Sequence, residues 1–338
     1  MKITVIPPSE SIISEPFTGF RQALDPAEVQ TRLSSLPYFQ QDRASPERCS
    51  IRICRHKPGR RCLIEYDVVV RRSSNIPQLL TLIAKVRMKS HDHKTYALAQ
   101  ALWEAGMHDE ASDNIAVPQP IGEIPEWHMW LQPKVPGFTL QKMLAGPKGE
   151  HLAGRVAEAA TKIHHCGVGT HRRHTIADEL RILNERLGKT ACEYPHWSER
   201  LQNIAHRCES LAATLPEFTP RGIHRDFYPD QIIVDGDRLF LLDFDLYCEG
   251  DPALDIGNFI AHISEYSLRT LGDASALAHV EQALERRFLQ LNPDVSQQAI
   301  QTYVTLTLAR HIHISTLFDE RRPFTQALLE LTERRLEH

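Results

Sequence analysis

The sequence lacks the cysteine pattern of a disulfide-bonded or zinc-stabilised protein. Its seven cysteines are scattered over 338 residues without a CxxC pair, which favours reduced thiols in a cytoplasmic protein. No apolar stretch approaches the roughly 20 residues that a membrane span needs. The N-terminal segment MKITVIPPSES has too short an apolar run for a signal peptide. The sequence therefore predicts a cytoplasmic protein without a membrane-bound segment.

The chain also lacks a strong excess of charge of either sign. Its formal net charge is −4, which excludes a general nucleic-acid binder as the first hypothesis. The composition, 42% hydrophobic and 24% charged, is that of an ordinary globular protein. A chain of this length can bury a sizeable core and divide into two lobes.

The first part of the chain has the pattern of a small antiparallel sheet with one long helix. Two β-rich runs, 50–57 and 61–70, are separated by Pro58-Gly59, which predicts a hairpin. A third apolar run covers 78–88, and the segment 92–106 has helical spacing. Two shorter β-type runs, PQPIGEI and HMWLQPKV, follow. Before the sheet, Asp25 and Pro26 are typical of a helix start.

After VPGF (135–138) the pattern becomes mainly helical. Apolar residues recur at helical spacing in seven segments, which are 149–167, 176–187, 197–214, 252–266, 274–291, 295–318 and 323–336. One β island, 232–245, interrupts them, and its Asp235-Gly236 predicts a tight hairpin.

Acidic residues flank this hairpin on both sides. The stretch HRDFYPDQII places Asp226 and Gln231 just before the first strand, and Asp243 ends the second strand. Because a tight hairpin brings its two strand ends together, these three side chains are expected to converge. Two carboxylates and an amide oxygen suit Mg²⁺, which prefers oxygen ligands and shares them with phosphates.

The motif resembles the catalytic and metal loops of the kinase-like phosphotransferases, in which His-x-Asp is followed by an amide residue and then by Asp-Phe-x. It looks like the branch of aminoglycoside phosphotransferases and choline kinases, because of the Pro in HRDFYPDQ, the tail GDPALDIGNF and the segment VPGFTL. The resemblance implies an α+β, bilobal protein-kinase-like fold with a small antiparallel-sheet N-lobe and a mainly helical C-lobe. The implied boundaries are 1–131 for the nucleotide-binding lobe with its N-terminal extension, 132–138 for the hinge and 139–338 for the catalytic and acceptor-binding lobe.

The resemblance also implies roles for single residues. Asp226 would be the catalytic base or would orient the acceptor hydroxyl. Gln231 and Asp243 would hold Mg²⁺, with Asp245 as either a further metal ligand or a turn residue. Lys85, in LIAKV, would pair with the α- and β-phosphates of ATP.

Further positions would support the site. The main chain near Gln132 would hydrogen-bond the adenine, so that Mg-ATP binds in the cleft between the lobes. The loop HKPGRRC has one glycine instead of a glycine-rich run, so phosphate contact there would fall to Arg60 or Arg61. His224 would pack beneath the catalytic loop, and Asp255 would brace it by hydrogen bonding.

Other interpretations of the same residues remain open. Asp226 and Asp243 could cap loops, Gln231 could be a solvated turn residue, and Lys85 could be an exposed residue at a strand end. Asp251 is expected to cap the helix that begins at Pro252. The remaining histidines with helical spacing are expected to be structural or on the surface; they are His164, His165, His311 and His313.

The predicted function is an ATP- and Mg²⁺-dependent transfer of the γ-phosphate to a hydroxyl of a small molecule of the aminoglycoside, sugar or amino alcohol type. Asp251 follows Asp243 by only eight positions, a shorter stretch than the activation segment on which protein kinases dock peptides.

Two alternatives remain. The acid that normally pairs with the third-strand lysine has no counterpart in 95–100. Only Glu104, nearer the end of the predicted helix, could serve instead. The protein could therefore be a degraded kinase that binds a nucleotide or a partner. His-x-Asp with His262 could also form a non-haem iron site, which would need a β-sandwich.

Overall fold

The computed structural model describes residues 18–41, 44–72 and 76–337. These residues form two compact units, the first ending at Pro136 and the second beginning at Gly137. None of the helices in the described ranges is both long and apolar enough to cross a membrane. The segment MKITVIPPSES, on which the signal-peptide prediction depends, lies outside the described residues.

The first unit is built on an antiparallel sheet preceded by short helices. The helices are α1 (Thr18–Gln22), α2 (Pro26–Ser35), α3 (Pro37–Gln41) and α4 (His93–Glu104). The strands are β1 (Ser45–Lys57), β2 (Arg61–Arg71), β3 (Pro77–Arg87), β4 (Ile115–Ala116), β5 (Gly122–Ile124) and β6 (Met129–Pro133). Five of them form one sheet in the order β1-β2-β3-β6-β5.

The hairpin and the third strand predicted from the sequence are confirmed, although β1 begins five residues earlier than the β-rich run at 50–57. The predicted helix start at Asp25 is also confirmed, because its carboxylate accepts a hydrogen bond from Ala27 N at 2.8 Å and Pro26 is the first helical residue. Strand alternation gives the sheet two different faces.

One face is apolar and packs on the N-terminal helices. Its residues include Ile64 and Tyr66 on β2 and Leu82 on β3, which are fully buried against Phe20 and Leu33. The Tyr66 hydroxyl donates to the Ala23 carbonyl oxygen at 2.7 Å, so the buried hydroxyl has its hydrogen bond.

The opposite face, here called the polar face, carries the side chains that alternate with this core. Leu63, Lys85, Trp130 and Glu123 stand opposite one another in register on β2, β3, β6 and β5. Directly opposed residues share a face of the sheet. Lys85 and Glu123 therefore belong to one row of side chains, separated by Trp130.

The second unit is mainly helical. Its helices are α5 (Gly149–His165), α6 (Ile176–Glu193), α7 (Ser198–Ala212), α8 (Pro252–Leu271), α9 (Ala278–Leu291), α10 (Gln297–Thr316) and α11 (Thr325–Leu336). Its strands are β7 (Phe138–Thr139), β8 (Arg221–Ile223), β9 (Ile232–Asp235), β10 (Arg238–Leu241) and β11 (Cys248–Gly250). All seven predicted helices are present, with boundaries shifted by a few residues and α6 extended to Glu193.

The predicted hairpin is β9–β10, and it turns at Asp235-Gly236 with Gly236 at φ 58°. The expectation of a single β island in this part of the chain is wrong, because β7 pairs with β9 and β8 pairs with β11. The sequence hides β8 and β11 because each has three residues and each contains a glycine. At Gly222 the glycine is required: an added Cβ would lie 1.9 Å from the Tyr247 hydroxyl oxygen.

The seven cysteines all lie within the described residues and form no disulfide with one another. Four of them are buried, namely Cys49, Cys62, Cys208 and Cys248. Cys54 in the first unit and Cys192 in the second are exposed. This arrangement agrees with the prediction of thiols without a disulfide frame.

Candidate active site

The loop before Asp226 in the second unit is held by one buried carboxylate. Asp255, on α8, accepts hydrogen bonds from the backbone N–H groups of His224 at 2.9 Å and Arg225 at 2.7 Å. His164 Nε2 lies 2.9 Å from the same carboxylate. Arg225 has φ 69°, a left-handed conformation that persists only where its surroundings enforce it. The two N–H bonds to Asp255 hold Arg225 in this conformation.

The mouth of the hairpin lies beside this loop. Leu242 N donates to the Gln231 carbonyl oxygen at 2.8 Å, which extends the β9–β10 pairing by one step and sets Gln231 next to Asp243. A His224 ring nitrogen lies 2.8 Å from the Leu242 carbonyl oxygen. His224 is fully buried, so the Asp226 loop and the strand end before Asp243 are bonded to each other through it.

Asp226 and Asp243 are close enough to influence each other. Burial raises the pKa of Asp226, and the Asp243 carboxylate adds to the rise, while His224 and Arg310 oppose it. Asp243 has φ 60° and ψ 63°, a left-handed conformation that Asp tolerates better than most residues. The structure thus brings together Asp226, Gln231 and Asp243, the three residues whose convergence the hairpin predicts.

The donor set at the hairpin mouth fits a hard divalent cation. The carboxylate of Asp243 and the amide oxygen of Gln231 are the oxygen ligands that Mg²⁺ accepts. Gln231 Nε2 donates to the Tyr228 hydroxyl at 3.3 Å, a bond that occupies the nitrogen of the amide and not its oxygen. Asp245 lies in the turn Phe244–Leu246, where its carbonyl oxygen accepts from Arg172 Nη1 at 2.5 Å.

A second set of polar residues under the loop was not found from the sequence. Asn258 Nδ2 donates to the Phe227 carbonyl oxygen at 2.8 Å, and its Oδ1 accepts from Arg310 Nη2 at 2.5 Å. Arg310 Nη1 also donates to Glu179 at 3.2 Å. Asn258 lies within the GDPALDIGNF tail, which could have drawn attention to it. Arg310 lies in an apolar helix, α10, with no local signal.

The basic residues around Glu179 hold its carboxylate in the ionised form. Although burial alone would raise the pKa of Glu179, the Arg310 guanidinium and His174 lower it to about 2. His174 Nε2 lies 2.6 Å from the Glu179 carboxylate. The guanidinium groups of Arg310 and Arg225 also act on Asp226, where they oppose the rise in its pKa.

The histidine proposed for an iron site is used differently. The ring of His262 stacks on Tyr228 with centroids 4.5 Å apart, and His262 Nε2 lies 3.3 Å from His311 Nε2. Burial lowers the pKa of His311 to about 3. The second unit is helical around these residues, whereas the iron-site alternative requires a β-sandwich. That alternative is wrong for this fold.

The candidate nucleotide residues of the first unit lie on the polar face of the sheet. Lys85 Nζ lies 4.5 Å from the centroid of the Trp130 ring, within the range of a cation–π interaction. Gln132 is buried on β6, opposite Ile83 on β3. Glu104, the acid considered as a partner for Lys85, is exposed at the last residue of α4.

Arg60 and Arg61 line a cavity of about 450 Å³ at the β1–β2 turn. Three more cationic side chains line it, those of Lys57, Arg87 and Lys89, with Asp92 as the acid. The neighbouring guanidinium of Arg55 is the main cause that lowers the pKa of Lys57, followed by burial. The sequence analysis missed these additional cations, although the run VRMKS signals two of them. We call this cavity the basic groove.

Comparison with known proteins agrees with these features. The model of the phosphotransferase enzyme family matches residues 62–292, which is more than half of the chain. The chain belongs to this family. The family assignment, together with the fold that the chain shares with solved structures, confirms the resemblance to aminoglycoside phosphotransferases and choline kinases. No curated protein sequence matches the chain significantly.

Solved structures share the fold of this phosphotransferase family member. A choline/ethanolamine kinase family protein from Mesorhizobium loti is 14% identical, with a TM-score of 0.57 over 92% of this chain and 95% of that chain. A spectinomycin phosphotransferase in complex with ADP and spectinomycin is 9% identical, with a TM-score of 0.57 over 93% and 94%. An amicoumacin kinase in complex with AMP-PNP and Ca²⁺ is 12% identical, with a TM-score of 0.58 over 92% and 94%. The α+β, protein-kinase-like fold class is confirmed.

Proposed function

We propose that the protein transfers the γ-phosphate of Mg-ATP to a hydroxyl group of a small molecule. The observation that carries this proposal is the arrangement at the hairpin mouth, where Asp226 lies near Asp243 and both backbones are fixed by buried partners. Membership of the phosphotransferase enzyme family supports it. The structures of relatives with ADP or AMP-PNP support ATP as the donor.

In this proposal Asp226 accepts the proton of the acceptor hydroxyl. The hydroxyl oxygen forms a bond to the γ-phosphorus, the bond from that phosphorus to the bridging β-phosphate oxygen breaks, and ADP leaves. Burial raises the pKa of Asp226, which makes its carboxylate a stronger base than an exposed one. Asp255 and Asn258 hold the loop backbone, so Asp226 is positioned before the acceptor arrives.

Asp243 and Gln231 would hold the Mg²⁺, with Asp245 as the further candidate ligand. A bound Mg²⁺ neutralises charge that develops on the phosphates. In the first unit, Lys85 would pair with the α- and β-phosphates, and Arg60 and Arg61 would add the positive potential of the basic groove. The main chain near Gln132 would hydrogen-bond the adenine.

The charges beside Asp226 favour one kind of acceptor over another. The guanidinium groups of Arg310 and Arg225 act on Asp226 electrostatically, so a polycationic aminoglycoside would bring like charge to this side of the loop. Among acceptors of the aminoglycoside, sugar and amino alcohol type, we therefore favour neutral or acidic hydroxyl compounds. Two of the similar structures are named a spectinomycin phosphotransferase and an amicoumacin kinase. The first compounds to test should therefore be of the size of spectinomycin and amicoumacin.

A degraded kinase that binds nucleotide without transfer is the second candidate. The exposure of Glu104 favours it, because this acid lies at the end of α4 and not in its middle. The intact pair of Asp226 and Asp243 opposes it. The two candidates differ in turnover and not in nucleotide affinity.

The deciding experiment combines binding with turnover. Thermal unfolding is followed with Mg-ATP and a panel of neutral sugars, sugar acids, amino alcohols and aminoglycosides, and ADP formation is measured with each acceptor. We expect Mg-ATP to raise the unfolding temperature and a neutral or acidic acceptor to increase ADP formation. Nucleotide binding with no acceptor-dependent turnover would support the degraded kinase. No response to Mg-ATP would contradict both candidates.

A further inference from the structure

Two histidines and a glutamate meet at the start of α4, beside the basic groove, which His91 also lines. His91 lies in the turn before α4, His93 is its first residue, and Glu123 lies on β5. One potential ligand atom from each side chain lies within 4.8 Å of the other two. His91 Nε2 is 3.3 Å from Glu123 Oε1, and His93 Nδ1 is 2.9 Å from Glu123 Oε2.

These separations have the size expected between ligands of one metal ion. Two ligands of a tetrahedral Zn²⁺, each bound at about 2.0–2.1 Å, lie about 3.3 Å from each other. Two imidazoles and one carboxylate are also a ligand set that Zn²⁺ and related ions accept. A fourth position would be left for water.

His91 distinguishes this cluster from an ordinary ion pair. Its side chain is only 17% exposed, yet neither ring nitrogen makes a hydrogen bond with any described residue. The contact of Nε2 with Glu123 is short enough for a hydrogen bond but lacks its geometry. A buried polar atom without a partner carries a cost, and a metal ion shared with His93 and Glu123 would supply the missing partner.

We propose that His91, His93 and Glu123 form a binding site for a divalent transition metal such as Zn²⁺, which fastens the beginning of α4 to strand β5. The site is distinct from the Mg²⁺ ligands of the second unit, and the proposal does not depend on phosphotransferase activity.

The position of the site gives the metal a structural task. Glu123 stands opposite Trp130, which stands opposite Lys85. From the helix side, the rings of His93 and Tyr96 are 6.4 Å apart, and those of Tyr96 and Trp130 are 6.2 Å apart. A metal at this point would hold α4 against the polar face of the sheet through the row that contains Lys85. The expected consequence is a more stable first unit.

The first test is a titration of the full chain, without an affinity tag and after treatment with a chelator, with Zn²⁺ in a calorimeter. We expect one high-affinity site in the wild type. His91→Ala and His93→Ala should each weaken it by at least about 100-fold, since even the outer partners of metal ligands contribute 10–100-fold. His151→Ala, which removes an exposed histidine on α5, is the matched control and should bind as the wild type does.

Two further measurements separate this site from metal binding at a cysteine and from a nonspecific effect of Zn²⁺ on stability. Co²⁺ bound at this site should show no thiolate-to-metal charge-transfer absorption, whereas binding at a cysteine would show it. Zn²⁺ should raise the unfolding temperature of the wild type and of His151→Ala, but not that of Glu123→Gln. Circular dichroism of each variant confirms that it is folded. The proposal is overturned by a thiolate spectrum, by unchanged Zn²⁺ affinity in both histidine variants, or by a wild type that binds no Zn²⁺.

Discussion

The two units hold their candidate site residues in different ways. In the second unit the loop around Asp226 is fixed by directed hydrogen bonds from buried partners, chiefly Asp255 and His224. In the first unit the basic groove gathers five cationic side chains around one acid, and Arg60 within it is exposed.

This difference predicts which side chains can be substituted without a large loss of function. A side chain that acts through one fixed geometry has no substitute, because its neighbours cannot move into its place. Cations that share a solvated groove act through their summed potential, so each contributes little and salt screens it. Single substitutions should therefore have large, salt-insensitive effects in the second unit and small, salt-sensitive effects in the groove.

The largest effect is expected for Asp226→Asn, which keeps the shape of the side chain and removes its charge. Turnover should fall by about 10²–10⁴-fold, the contribution of a positioned acid or base, and the Mg-ATP dissociation constant should be nearly unchanged. Steady-state kinetics and calorimetry measure the two quantities. Asp230→Asn, in an exposed position of the same loop, is the control. Wild-type turnover in Asp226→Asn would mean that Asp226 takes no part in the transfer.

A pH profile sharpens this first prediction. If the ionised Asp226 is the base, activity should decline at acid pH as this carboxylate gains a proton. Because burial raises its pKa, the decline should begin above the ordinary range of an aspartate. An acid limb at the pKa of an exposed carboxylate would argue that Asp226 only orients the hydroxyl.

Asp243→Asn is expected to have the next largest effect. Asn tolerates the left-handed backbone at this position, so the variant removes the charge and leaves the turn intact. Calorimetric binding of ATP should lose its dependence on Mg²⁺. Asp237→Asn, at the exposed turn of the same hairpin, should bind as the wild type does. Unchanged Mg-ATP affinity in Asp243→Asn would remove Asp243 from the metal site.

Asp255→Asn should act first on stability. The buried carboxylate accepts hydrogen bonds from His224 N and Arg225 N, and bonds to a charged group contribute about 1.5–3 kcal/mol. We expect the free energy of unfolding in urea to fall by about that amount, together with some loss of turnover. The exposed Asp273→Asn serves as the control. An equally stable Asp255→Asn would show that the loop does not depend on this carboxylate.

The smallest effect is expected for Arg60→Ala in the basic groove. An exposed charge contributes about 0.2–1 kcal/mol, so Mg-ATP affinity should fall by no more than about fivefold, and the loss should shrink as salt is added. Arg48→Ala, an exposed arginine on β1 outside the groove, should have no effect. A large loss that salt does not reduce would mean that Arg60 acts through a fixed contact, which breaks the contrast between the two units.

The sequence was sufficient to predict the features that depend on neighbours along the chain. The hairpin at Asp235-Gly236 follows from its turn residues, and the helix start at Asp251 follows from a cap followed by Pro252, confirmed by the bond from Ala253 N at 2.9 Å. The convergence of Gln231 and Asp243 was predictable as well, because the hairpin alone brings them together.

Features that depend on distant segments were not predictable in this way. Arg310 reaches Asn258 across 52 positions of the chain and Glu179 across 131, and nothing near Arg310 in the sequence marks either contact. The basic groove likewise combines the β1–β2 turn with the end of β3. Helix and strand patterns give the face on which a residue lies but not which distant residues lie beside it.

The exposure of the cysteines offers a chemical handle on each unit. Burial raises the pKa of the thiols of Cys49, Cys208 and Cys248 to about 12, and thiols that stay protonated react poorly with alkylating reagents. Cys54 and Cys192 are exposed, one in each unit. The Cys54 sulfur lies 3.9 Å from the carboxylate of Glu65, which adds to the effect of burial in raising the pKa of Cys54. Cys192 should therefore accept a fluorescent maleimide before Cys54 does, so the two exposed cysteines offer one labelling position on each unit without any engineered residue.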